Sequence, residues 1–223
     1  MNNHRNRNVI PLTRPRSEAT GSDAGTAESL SVVLDGWNVL LGAADGFGYS
    51  CRQLSTFEID LPRLVDRVAA RRKRASRVER IGIVFGTHPP GVNPVAAAMQ
   101  AAAIRRWRRD GRVIVLDPGM VAEGAGPEGG PIRYREASGD ATIQRLLVDW
   151  TDDGVTDAAV LVSADADHLA TVMDIRRRRR THLEVARWEW QRSSLWYPGL
   201  WVHYLGVDVL DATTRDLDPR KAA

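Results

Sequence analysis

Three aspartates stand in this sequence where chemistry is possible. The apolar run Val32-Val33-Leu34 ends abruptly on Asp35-Gly36-Trp37-Asn38. A short aliphatic run bounded by turn residues reads as a buried strand, and the carboxyl ends of such strands are where open α/β sheets place their ligands. A second run, 158–163, ends the same way on Ala164-Asp165-Ala166-Asp167, and between the two a helix opens on Ser138-Gly139-Asp140. Asp165 precedes Leu169 and Val172 by four and seven positions, and Asp140 precedes Ile143 and Leu147 by three and seven. Each therefore heads an apolar stripe rather than a wet face. A carboxylate there needs a partner, and a cation is a good one. For Ser138 or Asp140 taken alone, helix capping is the competing explanation, and Asp167 is less clearly inward than Asp165.

The elements that must position these groups follow from periodicity. Strands are predicted at 32–34, 81–85, 113–116, 158–163 and about 183–188, with a last edge strand at either 202–205 or 207–210. Helices are predicted over about 58–76, where Leu61, Leu64, Val65, Val68 and Ala69 share a face, then over 94–110, from about 140, and from about 165 to the five arginines at 176–180. The glycine-punctuated stretch 42–48 reads as a loop, and Arg71-Arg72-Lys73-Arg74 as a solvated helix end. Asp117, in Asp-Pro-Gly, reads as turn chemistry, and His88 as incidental to its loop. The glycine-rich stretch 120–131 has no phosphate-loop pattern. Residues 132–136 interleave Arg133, Tyr134 and Arg135, which suits either a nucleic-acid strand or a short edge strand. The tryptophans between 188 and 201 read as a core margin.

Composition narrows the class. A chain of 223 residues with 43% hydrophobic content supports one sizeable core, and its net charge of +3 conceals local clusters of arginine, the side chain best suited to phosphate oxygens. Cys51 is the only cysteine, which excludes an intrachain disulfide and a thiolate-built zinc site. No apolar run approaches the roughly 18 residues of a bilayer span. A cytoplasmic protein without membrane association is expected. Residues 1–29, polar and basic, are expected to be disordered, 30–211 to form the domain, and 212–223 to be a tail.

In order along the chain, Leu34-Asp35-Gly36-Trp37-Asn38, Ser138-Gly139-Asp140 and Leu161-Val162-Ser163-Ala164-Asp165-Ala166-Asp167 resemble the three signatures of the NYN domain, a PIN-like ribonuclease family. The resemblance spans about residues 30–180. It departs from the family where Ser138-Gly139 replaces a basic residue and glycine before the middle aspartate, and residues 182–223 match nothing in it. The resemblance implies an α/β fold, a doubly wound, mostly parallel sheet with helices on both faces. It also implies Asp35, Asp140 and Asp165 as ligands of Mg²⁺ or Mn²⁺, Asp167 supporting them, and Asn38 orienting Asp35 or a substrate phosphate. Arg105, Arg106, Arg133 and Arg135 are the expected phosphate contacts, and RNA the expected partner, with a homodimer left open. The implied function is metal-dependent ribonuclease activity. The rival is a non-catalytic RNA-binding or protein-interaction module on the same fold. An aspartyl-phosphate phosphatase is disfavoured because Trp37 stands where its second aspartate belongs.

Overall fold

The computed structural model describes residues 27–49, 54, 57–122, 124, 134–178 and 180–217. The elements are β1 (Glu28–Asp35), α1 (Gly36–Gly46), β2 (Phe57–Ile59), α2 (Leu61–Ala70), β3 (Ser76–Val84), α3 (Pro94–Trp107), β4 (Val113–Leu116), β5 (Met120–Ala122), β6 (Tyr134–Glu136) and α4 (Gly139–Asp152). After these come β7 (Ala158–Val162), a 3₁₀ turn (Ala166–His168), α5 (Leu169–Arg178), β8 (His182–Trp188), β9 (Trp201–Leu205), α6 (Val207–Thr213) and β10 (Thr214–Asp216).

Six strands form one sheet in the order β4-β3-β1-β7-β8-β9, and every adjacent pair is parallel. Its central strand β1 is buried on both faces. Val32 and Leu34 join a core with residues of α1, α2 and α3, while Val33 joins a second core with Ile143, Leu147, Val172 and Ile175 from α4 and α5. Period-two alternation thus sends neighbouring residues of one strand to opposite helical layers. This is the doubly wound α/β arrangement expected. The chain winds from β1 outward through β3 to β4, crosses back to β7, and winds the other way through β8 to β9. The order reverses between β1 and β7, which is where such sheets open a crevice at their carboxyl edge.

Several local expectations are corrected. Stretch 42–48 is not a loop, because helix α1 runs through Gly46. Its glycines serve packing: a Cβ on Gly42 would lie 2.5 Å from the Trp188 ring, whose Nε1 donates to the Val39 carbonyl at 2.9 Å. The helix predicted over 58–76 is split into β2 and α2, with Asp60 capping Arg63 N and Pro62 in the first turn. Strand β3 begins at Ser76. Of the two candidates for the last edge strand, 201–205 is realised as β9, and 207–210 lies in helix α6. Ordered structure also continues past residue 211, where a tail is expected, since β10 pairs antiparallel with β2. The expected disordered segment lies outside the described residues apart from 27–29, and Ser29 is part of β1.

Arg72 is not solvated either. It is buried, and its guanidinium donates to both Glu184 oxygens at 3.1 Å and to Glu28 at 3.0 Å, while His203 Nε2 approaches Glu184 Oε2 at 2.5 Å. This cluster joins the amino ends of β1 and β3 to β8 and β9. Burial alone would raise the Glu184 carboxyl, but His203 and Arg72 outweigh it and hold the group down at about 2. The folded state therefore gains from Glu184 being ionised at every pH above its ordinary 4.5 and loses that gain as pH falls toward 2. Arg72→Met is expected to cost about 3–5 kcal/mol by stranding the buried carboxylate. Adding Glu184→Leu should restore most of it, as read by urea unfolding at pH 7. A single variant as stable as the parent would refute the assignment.

Candidate metal centre

At the carboxyl edge, β1 ends on Asp35, and the next residue is the N-terminus of α1. The buried Asp35 carboxylate accepts the Asn38 backbone N–H at 3.1 Å and the Ser163 hydroxyl at 3.0 Å, so one side chain caps α1 and ties β1 to β7. Asn38 acts beside it. Its backbone orients Asp35, and its carboxamide oxygen accepts Ala164 N–H at 2.9 Å and Gln191 Nε2 at 3.1 Å. The contact to Asp35 is made by the Asn38 backbone, and its amide oxygen is committed to the loop after β7 and to Gln191.

That loop presents Asp165, whose Oδ1 accepts Asp167 N–H at 2.9 Å and whose own N–H donates to Ser163 Oγ at 3.0 Å. Asp140, in the first turn of α4, faces the same place. Ser138 makes no side-chain cap bond, so capping by that residue is not realised. Gly139 earns its position because a Cβ there would collide with the Glu136 carboxylate folded beneath the helix. One oxygen from each of Asp140, Asp165 and Asp167 lies within 4.8 Å of the others. Asp167, the least clearly inward by helical spacing, belongs to that group. Asp35 stands at the back of the same site.

Two further groups escaped sequence reasoning. Glu136 ends β6 and accepts the Gly86 N–H from the turn after β3. His168, directly after the Asp-Ala-Asp segment, is 1% exposed, and its Nε2 lies 3.7 Å from Asp35 Oδ2 and 3.9 Å from Asp140 Oδ1. The only available signal for either was position, one residue beyond a motif or three before Gly139.

Burial comes first in the electrostatics, and like charge adds to it. Burial pushes Glu136 up to about 7, against the pull of the Gly86 N–H, and Asp35, Asp140 and Asp117 push the same way. Asp140 is raised by burial and by Asp165, Asp35 and Asp167, with His168 opposing. Burial would lower His168, but Asp35, Asp140 and Asp165 raise it. Among the described residues lining the cleft, Arg135 is the single guanidinium. Asp140, Asp165 and Asp167 offer hard oxygen donors, the kind that Mg²⁺ and related divalent cations take.

The cleft has a volume of about 880 Å³. Opposite the acids, its wall carries Trp37, His88, Met99 and Tyr134. The His88 ring sits edge-on to Trp37 at 5.8 Å and 6.0 Å from Tyr134, and Gln100 holds it through Nδ1 at 2.9 Å. His88 is therefore part of the cleft rather than incidental. Asp117 behaves as turn chemistry, accepting Thr87 N–H at 3.1 Å and Gly119 N–H at 2.8 Å.

The expected phosphate contacts divide. Arg135 lines the cleft, and Arg133 lies outside the described residues. Arg105 and Arg106 occupy the last turn of α3, away from the cleft wall, and Arg106 is bound to Glu58 on β2. Arg106 there ties α3 to β2 of the small β2–β10 sheet.

No protein-family model matches the sequence and no curated protein matches it. Among solved structures, the fold is similar to that of a protein of unknown function from Vibrio parahaemolyticus, with a TM-score of 0.54 and 17% identity over 88% of this chain and 100% of that one. At that identity the likeness shows the fold alone. The chain is an α/β protein with a crowded acidic cleft at the switch point of its sheet. Among the described residues, no helix is long and apolar enough to cross a membrane.

The raised carboxyls set a pH dependence. Between its ordinary 4.5 and about 7, Glu136 holds a proton in the folded chain that it has lost in the unfolded one, so stability falls as pH rises through that window. The raised Asp140 and His168 act in the same direction. In the absence of divalent cations, the melting temperature should drop by about 3 °C or more from pH 5 to pH 8. Millimolar Mn²⁺ should reverse the drop, and Glu136→Gln should flatten it. A metal-free melting temperature that is level or rises over this range would contradict the charge assignment.

Proposed function

We propose that this chain is a metal-dependent ribonuclease, most similar in design to the NYN group of PIN-like domains. The observation that carries the reading is the meeting of Asp140, Asp165 and Asp167 oxygens within 4.8 Å, from α4 and the loop after β7, at the mouth of a cleft backed by Asp35. A polyanion has no reason to enter a cleft with this many carboxylates unless a cation intervenes. Mg²⁺ or Mn²⁺, when bound, supplies the charge that acidifies a water and offsets negative charge growing on a phosphodiester.

The remaining steps belong to the protein. Asp35, braced by Asn38 N–H and Ser163 Oγ, keeps the back of the site rigid. Glu136, titrating near 7, is matched to moving a proton at neutral pH. Arg135 at the cleft edge suits a neighbouring phosphate. The flank of Trp37, His88 and Tyr134 offers aromatic surface to unstacked bases, which favours RNA with single-stranded segments over a continuous duplex.

The test is cleavage of a labelled single-stranded RNA with Mg²⁺ or Mn²⁺ by wild type and by Asp165→Asn, each checked for an unchanged melting profile. The variant should be slower by at least about 100-fold. Equal rates in both, or RNA binding with no cleavage in either, would favour the binding module instead.

A further inference from the structure

We propose that the cleft wall opposite the acids is a subsite for one unstacked nucleobase, and that His88, held as its Nε2–H tautomer by Gln100, selects uracil and guanine over cytosine and adenine there. The inference rests on the ribonuclease reading above and adds to it a base preference and the residue that sets it. Gln100 fixes the tautomer by elimination. The His88 backbone N–H donates to Gln100 Oε1 at 2.8 Å, so that end of the carboxamide is the oxygen and the other end, Nε2, is a donor. Gln100 Nε2 meets His88 Nδ1 at 2.9 Å, and two donors cannot share a hydrogen bond. Nδ1 therefore accepts, and the proton of the neutral ring is on Nε2.

The wall around that N–H has spent its acceptors. Trp37 Nε1 donates to the Gly86 carbonyl at 2.9 Å, and the Trp37 ring is stacked on Phe85 at 4.9 Å, which leaves it carbon surface of fixed orientation to offer. Asn93 Oδ1 takes the Ala96 N–H at 3.0 Å, so the part of its amide left over is again a donor. Met99 adds apolar surface, and the Tyr134 hydroxyl can give or take and so selects neither. Among the described residues no group takes the His88 Nε2–H, and the residue is half-buried in the cleft wall. Flat aromatic walls with a directed donor suit a base splayed out of its stack. Uracil and guanine present a carbonyl oxygen where cytosine and adenine present an amino group. The carbonyl meets a donor. The amino group meets donors only and has given up its water, the cost that a site built to hydrogen-bond imposes on a mismatched ligand.

Nitrogen NMR of the full chain labelled with ¹⁵N-histidine tests this without reference to cleavage. At pH 8 the His88 signals, assigned by their loss in His88→Phe, should show an unprotonated Nδ1 and a protonated Nε2. Uridine should move the Nε2 signal and bind at least about threefold more tightly than cytidine, and guanosine should exceed adenosine likewise. His88→Phe should erase both preferences, and Gln100→Leu should mix the two tautomers and reduce them. Should the phenylalanine variant misfold, Gln100→Leu assigns the signals by the change it makes, and the wild-type preferences need no variant. A protonated Nδ1 in wild type, equal affinities within each pair, or a signal moved as far by ribose 5-phosphate as by uridine would overturn the proposal even if RNA is cut. Nucleoside preference in a protein that cuts no RNA would uphold it and remove the nuclease reading. No response to any nucleoside, together with no cleavage, would overturn both.

Discussion

Carboxylates held together against their mutual repulsion are the constraint on which the rest of this structure depends. Asp35, Glu136, Asp140, Asp165 and Asp167 come from β1, β6, α4 and the segment after β7, and they meet because the strand order reverses between β1 and β7. A doubly wound sheet leaves a crevice at that point, since the helices on either side depart to opposite faces. Hydrogen bonds hold the acids in place: Ser163 and Asn38 N–H on Asp35, Gly86 N–H on Glu136, Asp167 N–H on Asp165. These bonds orient single oxygens but bring no positive charge, and burial first, with the neighbouring carboxylates adding to it, raises Glu136 and Asp140.

What the sequence made legible were features whose cause is local. The runs at β1 and β7 are continuous aliphatic stretches because both strands are covered on two faces, and a two-sided strand advertises itself without any partner being known. Their terminal aspartates could be placed on the same edge because parallel strands all end on one side. The spacing from Asp140 found the buried stripe of Ile143 and Leu147, but Asp140 itself is exposed at the helix start rather than turned inward. Features fixed by distant residues were not legible. Gly42 resembles a helix breaker until Trp188 is seen against it, 146 positions later in the chain. Arg72 looks like any member of a basic run until Glu28 and Glu184 close around it, and Arg106 looks free until β2 brings Glu58 to it. Glu136 and His168 carry no pattern of their own. Their roles come from burial beside charges contributed by other elements, which periodicity does not encode.

The two ends of the sheet bury the same chemistry under opposite terms, and the contrast separates stability from function. At the amino end, Glu184 is surrounded by Arg72 and His203, every charge has a near counter-charge, and the carboxyl sits at about 2. At the carboxyl end, Glu136 is half-buried among other acids with one backbone N–H for support, and the same carboxyl sits at about 7. The residue type is shared and Glu184 is the more deeply buried of the two, so the opposite shifts come from the neighbours. An end arranged only for stability would have been neutralised in the way the amino end is, with the arginines the chain has in quantity. Arg106 and Arg178, in the last turns of α3 and α5, pair with Glu58 and with Asp152 and Asp174, and among the described residues lining the cleft Arg135 is the single guanidinium. The cleft thus keeps its carboxylates at the switch point of the sheet with less positive charge beside them than Glu184 has at the amino end, and the environment rather than the residue type sets how each acid titrates.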